Sequence, residues 1–219
     1  MAGGSWANGS FVGDKISGLD SFYSGEGGSN YSKTCDEYTG TSGGVGNNLS
    51  YNGHVIDTSA AVKNGSRTSP ILAEVCKMIA NPVANGYYPV YIDQPRGHAG
   101  YCAWHSWGSC NGTNIQFAFF FNLDGDPGCD PQDSGNGHSQ GLSALANVSG
   151  HELSEARTDP RGAGWYDSSG AENADKCAWT FGKSALKFAN GSTWKVQGNW
   201  SNAAYTANTG YTRGCIDGN

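Results

Sequence analysis

Long apolar runs are missing from this 219-residue chain. No segment is long and apolar enough to span a bilayer as a helix, which excludes an integral helical membrane protein. Basic residues are scarce: 13 Lys and Arg against 19 Asp and Glu give a net charge of -6, and only 15% of residues are charged. With a sequence pI near 5.2 and scattered Lys and Arg, there is no basic footprint for nucleic acid, and the balance reads as a solvated acidic surface. None of the seven cysteines forms a CxxC pair, which argues against a zinc ribbon. No internal repeat is visible. No basic n-region followed by an apolar h-region opens the chain, so Met1-Ala2-Gly3-Gly4-Ser5 reads as an initiator Met on a mature domain.

Glycine, by contrast, is abundant at 34 residues, with many Asn, Ser, Thr, Trp and Tyr, a mixture typical of loop-rich extracellular enzymes. Apolar residues at 37% and aromatics at 12% exclude a disordered chain, and the length suffices for a sizeable core. With no long linker, residues 1–219 read as a single domain with a loop-rich part over 1–60. Cysteines 35, 76, 102, 110, 129, 177 and 215 are spread out, as in a disulfide-bearing protein of an oxidising compartment. Secretion is therefore expected. The spacing allows Cys102 and Cys110 to close a short loop, and the odd count leaves one thiol over. Cys76, among helically spaced apolar residues, is the expected free cysteine. The sequons at Asn111 and Asn190 carry little weight in so Asn-rich a chain.

Residues 1–50 read as loops and short strands around Trp6, Phe11, Phe22 and Tyr23. A strand is expected over Tyr51–Asp57. A helix is expected over Ser69–Ala80, with Ile71, Leu72, Val75, Cys76 and Ile79 at helical spacing and Pro82 beyond its stop. Strands follow over Tyr87–Ile92, Tyr101–Trp107 and Ile115–Leu123, the last apolar enough to be central. A second helix spans Leu142–Arg157 and stops before Pro160. Beyond it lie a turn-rich stretch, a short segment Glu172–Trp179, and weak strands near Lys195 and Tyr205.

The second helix carries Gly150-His151-Glu152-Leu153-Ser154-Glu155. Positions four apart share a helical face, so His151 and Glu155 can address one ion while Glu152 reaches its bound water. This is the HExxH metallopeptidase arrangement with Glu in place of the second His. Carboxylate oxygen is an acceptable zinc ligand, though its charge weakens the Lewis acid and moves preference toward harder ions. Catalytic zinc takes three protein ligands and keeps one position open. By analogy with zincins that use a glutamate from a second helix, Glu172 is the expected third ligand and Asp175 the acid that holds His151. Asp159 is the alternative ligand. HExxE by itself is a common pattern on exposed helices, but an apolar run from Leu142 to Val148 places this one against a core, where charged groups need partners.

His105, among aromatics in Cys102-Ala103-Trp104-His105, is a candidate for oxyanion stabilisation, with a hydrogen-bonded half-buried His as the plainer reading. His98 and His138 read as surface residues of glycine-rich loops. Asp124, Asp126, Asp130 and Asp133 bunch in a flexible loop suited to calcium, or to a solvated turn. Trp104, Trp107, Trp165, Trp179, Trp194 and Trp200 read as candidate sugar-stacking groups if exposed.

Taken together, Gly150-His-Glu-Leu-Ser-Glu-Ala-Arg-Thr-Asp-Pro160, Gly164-Trp-Tyr-Asp167, Ala171-Glu-Asn-Ala-Asp-Lys-Cys177 and the upstream Cys102-Ala-Trp-His105 resemble the phosphate-induced (Exordium-like) family over about residues 85–200. Retention of Asp159 makes the chain look closer to the bacterial branch. The resemblance implies a secreted protein with a zincin-like helix.

The expected architecture is α+β and zincin-like: a mixed sheet with an active-site helix, loop-rich and disulfide-bearing. The expected function is a secreted, monomeric zinc endopeptidase in which His151, Glu155 and Glu172 hold zinc, Glu152 activates water and His105 stabilises the tetrahedral intermediate. Ca²⁺ is a second candidate cofactor. A protein or peptide is the expected substrate, with no nucleic-acid or membrane partner. The alternatives are a non-enzymatic extracellular signalling protein with a structural metal, and a glycan- or cell-wall-binding protein.

Overall fold

The computed structural model describes residues 1–40, 43–59, 67–183 and 185–219. The N-terminal part folds into α1 (Gly9–Val12), α2 (Lys15–Glu26) and α3 (Asn30–Lys33), followed by the tiny strands β1 (Thr39–Gly40) and β2 (Gly43–Gly44). Then come α4 (Thr68–Met78), β3 (Tyr87–Pro95), β4 (Ala103–Cys110), β5 (Thr113–Asn122) and the long helix α5 (Gln140–Thr158). The C-terminal part holds a 3-10 turn at Asp175–Cys177, β6 (Leu186–Lys187), β7 (Thr193–Trp194), β8 (Asn199–Trp200), α6 (Asn202–Ala207) and β9 (Cys215–Ile216). The chain is thus mixed α+β.

The main sheet has the order β3-β5-β4, with β3 parallel and β4 antiparallel to β5. It is the mixed sheet expected, and the apolar β5 is its central strand, with Phe117, Phe119 and Phe120 fully buried. β4 and β5 are joined by Asn111-Gly112, both at positive φ (51° and 80°). That is the primed turn whose twist suits a two-residue hairpin.

Cross-strand partners share a face, so the register sorts the sheet's two sides. His105 pairs with Ala118 and Ala103 with Phe120; Phe120 also pairs with Tyr91, whose hydroxyl meets Ser149 Oγ of α5 at 2.7 Å. This side faces α5. The alternate residues face α4: a Cβ on Gly108 would lie 2.4 Å from Leu72, and Cys110 is bonded to Cys76. Helices α4 and α5 therefore cover opposite faces of the sheet.

Helix α5 begins at Ser139, whose Oγ caps the Leu142 amide at 3.1 Å, and nearly its whole length is buried. It packs against α2 so closely that a Cβ on Gly18 would lie 2.2 Å from Leu142.

Several expectations are corrected. Of the loops and short strands expected in the first 50 residues, 4–33 are mostly helical instead, while the short strands β1 and β2 and the loop over 45–50 match the expectation; positions 41, 42 and 60 of the loop-rich part lie outside the described residues. In α2 the buried Leu19 and Phe22 are set among Gly18, Asp20 and Ser21, which masks the helical period. Tertiary contacts of Phe22 with Phe188 and Trp194 supply what weak propensity does not. Residues 51–57 form no strand, and only Asp57 makes a bridge, to Ala2. Tyr205 lies on α6, not on a strand.

The disulfides are Cys76–Cys110, Cys102–Cys129 and Cys177–Cys215, with Cys35 free and buried. A Cys102–Cys110 bridge is ruled out because the two flank β4 end to end. An eight-residue strand separates its ends by roughly 26 Å, far beyond disulfide reach. Cys76 is not free because α4 lies over the end of β4. Three disulfides fit an oxidising compartment, and among the described residues no helix is long and apolar enough to cross a membrane.

Candidate metal centre

His151 and Glu155 project from one face of α5, one helical turn apart, with Nε2 of the His 3.1 Å from Oε1 of the Glu. From β4, His105 reaches the same carboxylate: its Nε2 lies 3.6 Å from Glu155 Oε2 and 3.2 Å from Glu172 Oε1. Asp175 completes the cluster from the opposite side, with Oδ1 3.5 Å from His151 Nε2.

The stretch after α5 is shaped to return Glu172 and Asp175 to the helix. Asp159 closes the helix by accepting bonds from the Gly164 amide and the Tyr166 hydroxyl. Gly164 must be glycine here, since a Cβ would lie 2.1 Å from the Thr158 carbonyl oxygen. Asp167 folds the next turn by accepting from Ser169 N and Ala171 N at 2.8 and 3.1 Å. Its pairing with Lys176 at 2.7 Å holds its carboxyl well below the usual range. Buried Asn173 accepts from Thr158 Oγ1 at 3.0 Å. The Asp175 amide then donates to Glu155 Oε1 at 3.0 Å, and the Glu172 amide donates to Asp175 Oδ2 at 3.2 Å. Glu172 sits in a turn before the 3-10 segment, not on a second helix as the zincin analogy suggested.

Two overlapping groups have ligand atoms within 4.8 Å of one another: His105, Glu155 and Glu172, and His151, Glu155 and Asp175. Glu172 is thus drawn to His105, whereas the expected trio joined it to His151. His105 stands among the ligating atoms instead of apart from them as an oxyanion donor. Asp159, the alternative ligand, spends its carboxylate on Gly164 and Tyr166.

Electrostatics follow from crowding acids and imidazoles away from water. Burial works against a charged His105, but the hydrogen bond to Glu172 and the nearby Glu152 and Glu155 outweigh it and push its pKa up to about 9. His151 is likewise raised, against burial, by Glu155 and Asp175. In return, the bond to His151 lowers Asp175. Glu152 is 5% exposed, and burial pushes it up to about 7 although His151 pulls it down. Glu172 Oε2 is buried with no hydrogen-bond partner among the described residues.

Two contributors were not among the expected site residues. Gln197 lies 46 positions from His151 yet places its amide against His151 Nδ1. Tyr166, 42% exposed, reaches Asp159 beside the cluster. Only the C-terminal fold brings Gln197 here, but Tyr166 falls in the Gly164-Trp165-Tyr166-Asp167 string.

The remaining candidates lie apart. The four loop carboxylates do not converge. Asp124 pairs with Lys15 and Asp126 with Arg96, Asp130 accepts from the Gln132 amide, and Asp133 accepts from Asn136 and Gly135. Dispersed over separate partners, they are not among the groups of the described residues whose ligand atoms lie close enough to share an ion. His98 is exposed as expected, but His138 is half-buried, stacked on Trp194 at 4.2 Å. Of the six tryptophans, Trp194 is fully buried and only Trp107 and Trp179 are exposed. A cleft of about 730 Å³ is lined by Tyr23, Tyr87, Leu153, Ala156, Arg157 and Pro160 among others, and by none of the five cluster residues. At 100° per residue these α5 positions face away from His151 and Glu155.

Comparison with family models, with curated proteins and with solved structures finds no match to this chain.

Proposed function

We propose that this chain is a secreted zinc-dependent peptidase. The observation that carries this reading is the convergence of His105, Glu155 and Glu172 beside the buried Glu152, whose charge both His105 and His151 feel. The donor set fits zinc: one imidazole nitrogen and two carboxylate oxygens, with the orphaned Glu172 Oε2 free to serve an ion. Bound there, zinc supplies a Lewis acid that lowers the pKa of a coordinated water.

The chain's own residues do the rest. Glu152, held near neutrality, takes the proton from the attacking water and returns it to the leaving amine. The Asp175 amide fixes the Glu155 carboxylate, and Gln197 and Asp175 orient His151. β4 is an edge strand, so the side facing away from β5 offers backbone donors and acceptors to an extended peptide, with the exposed Trp107 two residues past His105. The likeness of residues 85–200 to the phosphate-induced family, read as a secreted group with a zincin-like helix, is compatible with this proposal.

The test is hydrolysis of an unfolded protein such as casein by zinc-loaded protein, abolished by chelation and restored by zinc. A second reading is a signalling or glycan-binding protein with a structural metal, in which a fourth protein donor takes the position that a catalytic zinc keeps open. Bound zinc without turnover of any peptide would select it.

A further inference from the structure

Glu155 shows its two carboxylate oxygens to two different groups. Oε2 faces His105 at 3.6 Å, and His105 in turn meets Glu172 Oε1 at 3.2 Å. Oε1 faces His151 at 3.1 Å, and His151 in turn meets Asp175 Oδ1 at 3.5 Å. Each group offers one imidazole, one private carboxylate and one oxygen of the shared one, and the five residues do not merge into one convergent set. With metal–ligand bonds of about 2.0–2.2 Å, one ion cannot serve both ends of this chain of donors.

We propose that the centre is dinuclear: a second divalent transition ion is held by His151, Glu155 and Asp175, with Glu155 as the bridging carboxylate. This rests on the peptidase reading for the first position only. Charge supports it. Glu152, Glu155, Glu172 and Asp175 gather here, and among the described residues no Lys or Arg pairs with any of them. Two divalent ions balance four carboxylates, whereas one leaves two negative charges in a mostly buried site. Two ions sharing an oxygen bridge are a recurrent solution for hydrolysis, in which attacking and departing atoms are both held.

The two positions are unequal. The first has side chains only 5–13% exposed and includes the orphaned Glu172 Oε2. The second includes Asp175, whose side chain is 49% exposed. It also depends on Gln197. For His151 Nε2 to ligate, the ring proton must sit on Nδ1 and needs an acceptor. The Gln197 Oε1 accepts from the Trp179 amide at 3.1 Å, so the side-chain NH₂ faces Nδ1. Filling the second position therefore turns the Gln197 amide over, which makes it the weaker of the two.

The experiment is equilibrium dialysis of chelator-stripped protein against graded zinc, with elemental analysis of bound metal. Wild type is expected to take up two equivalents in two resolved steps. Asp175→Asn, at a half-exposed position, is expected to keep the first step within about threefold and lose the second. Manganese-loaded wild type, which needs no variant, is expected to show the spin coupling of an ion pair. Saturation at one equivalent, with Asp175→Asn unchanged and an uncoupled manganese spectrum, overturns the dinuclear centre but leaves a mononuclear peptidase standing if casein is still cleaved. No bound metal in wild type overturns both.

Discussion

Glu152 carries the heaviest load of any single residue in this account. It is a buried carboxylate, raised to about 7 by burial, close to the working pH a general base needs. Glu152→Gln is expected to lower peptide turnover by about 10²–10⁴-fold while zinc content stays at the wild-type level. Loss of metal together with activity would instead make Glu152 a structural support. His105 sets a second expectation, for the metal-free protein. Its folded pKa, about 9, stands above its ordinary 6.5, so the folded state holds the proton more tightly. That contribution is fully present below pH 6.5 and is lost as pH rises through 9, on the order of 3 kcal/mol. Denaturant melts of the stripped protein between pH 6 and 9.5 should show this fall, and His105→Gln should make it shallower, with the raised His151 and Glu152 supplying the rest. A wild-type profile that is flat or rising would contradict the assignment. The His151, Glu152 and Glu155 cluster was legible in the sequence because helical spacing fixes it. His105 could be singled out, but its distance to Glu172 could not, since it depends on a strand and a turn meeting 67 positions apart. Gln197 had no pattern around it at all.

At the level of elements, α5 and the turn after it decide whether these side chains meet. Ser139 caps the helix and is itself held by Asp14, which accepts from Ser139 N at 2.7 Å. Ser139→Ala is expected to cost about 1 kcal/mol, read as a lower denaturant midpoint. Gly164→Ala drives a Cβ into the Thr158 carbonyl, a backbone group that cannot rotate aside. It should cost more than the cap does and should weaken metal binding as well, because the same turn returns Glu172 to the helix. Equal losses for the two variants, with metal affinity intact in both, would separate the turn from the site. Elements with strong periodicity or continuous apolar runs, α4, α5 and β5, were readable from sequence to within a few residues. Helix α2 was not: its Gly, Ser and Asp positions hide a stripe that becomes helical only when Phe22 meets Trp194 and Gly18 meets Leu142.

Across the whole molecule, the disulfides tie the candidate metal centre to its surroundings. Cys177 follows directly on Glu172 and Asp175, and its bond to Cys215 closes 38 residues. Removing it with paired serine substitutions should cost roughly 3–4 kcal/mol by loop-closure entropy and also lower zinc affinity, since the segment bearing two ligands loses its anchor. Removing Cys76–Cys110, on the face of the sheet turned toward α4, should cost a similar amount of stability and leave zinc affinity alone. Calorimetry paired with zinc dialysis distinguishes the two. Cysteine count and spread pointed to disulfides, but not to their pairing, because partners are set by which face each strand turns toward which helix. The sorting of β4, with His105 toward α5 and Cys110 toward α4, is a property of register that no local pattern announces.

The measurement that bears most directly on the central claim is bound zinc and casein cleavage, made in parallel on wild type and Glu152→Ala. The account predicts bound zinc in both proteins and cleavage in wild type alone. Wild type that binds no zinc, or that cleaves casein no faster than Glu152→Ala, would contradict it.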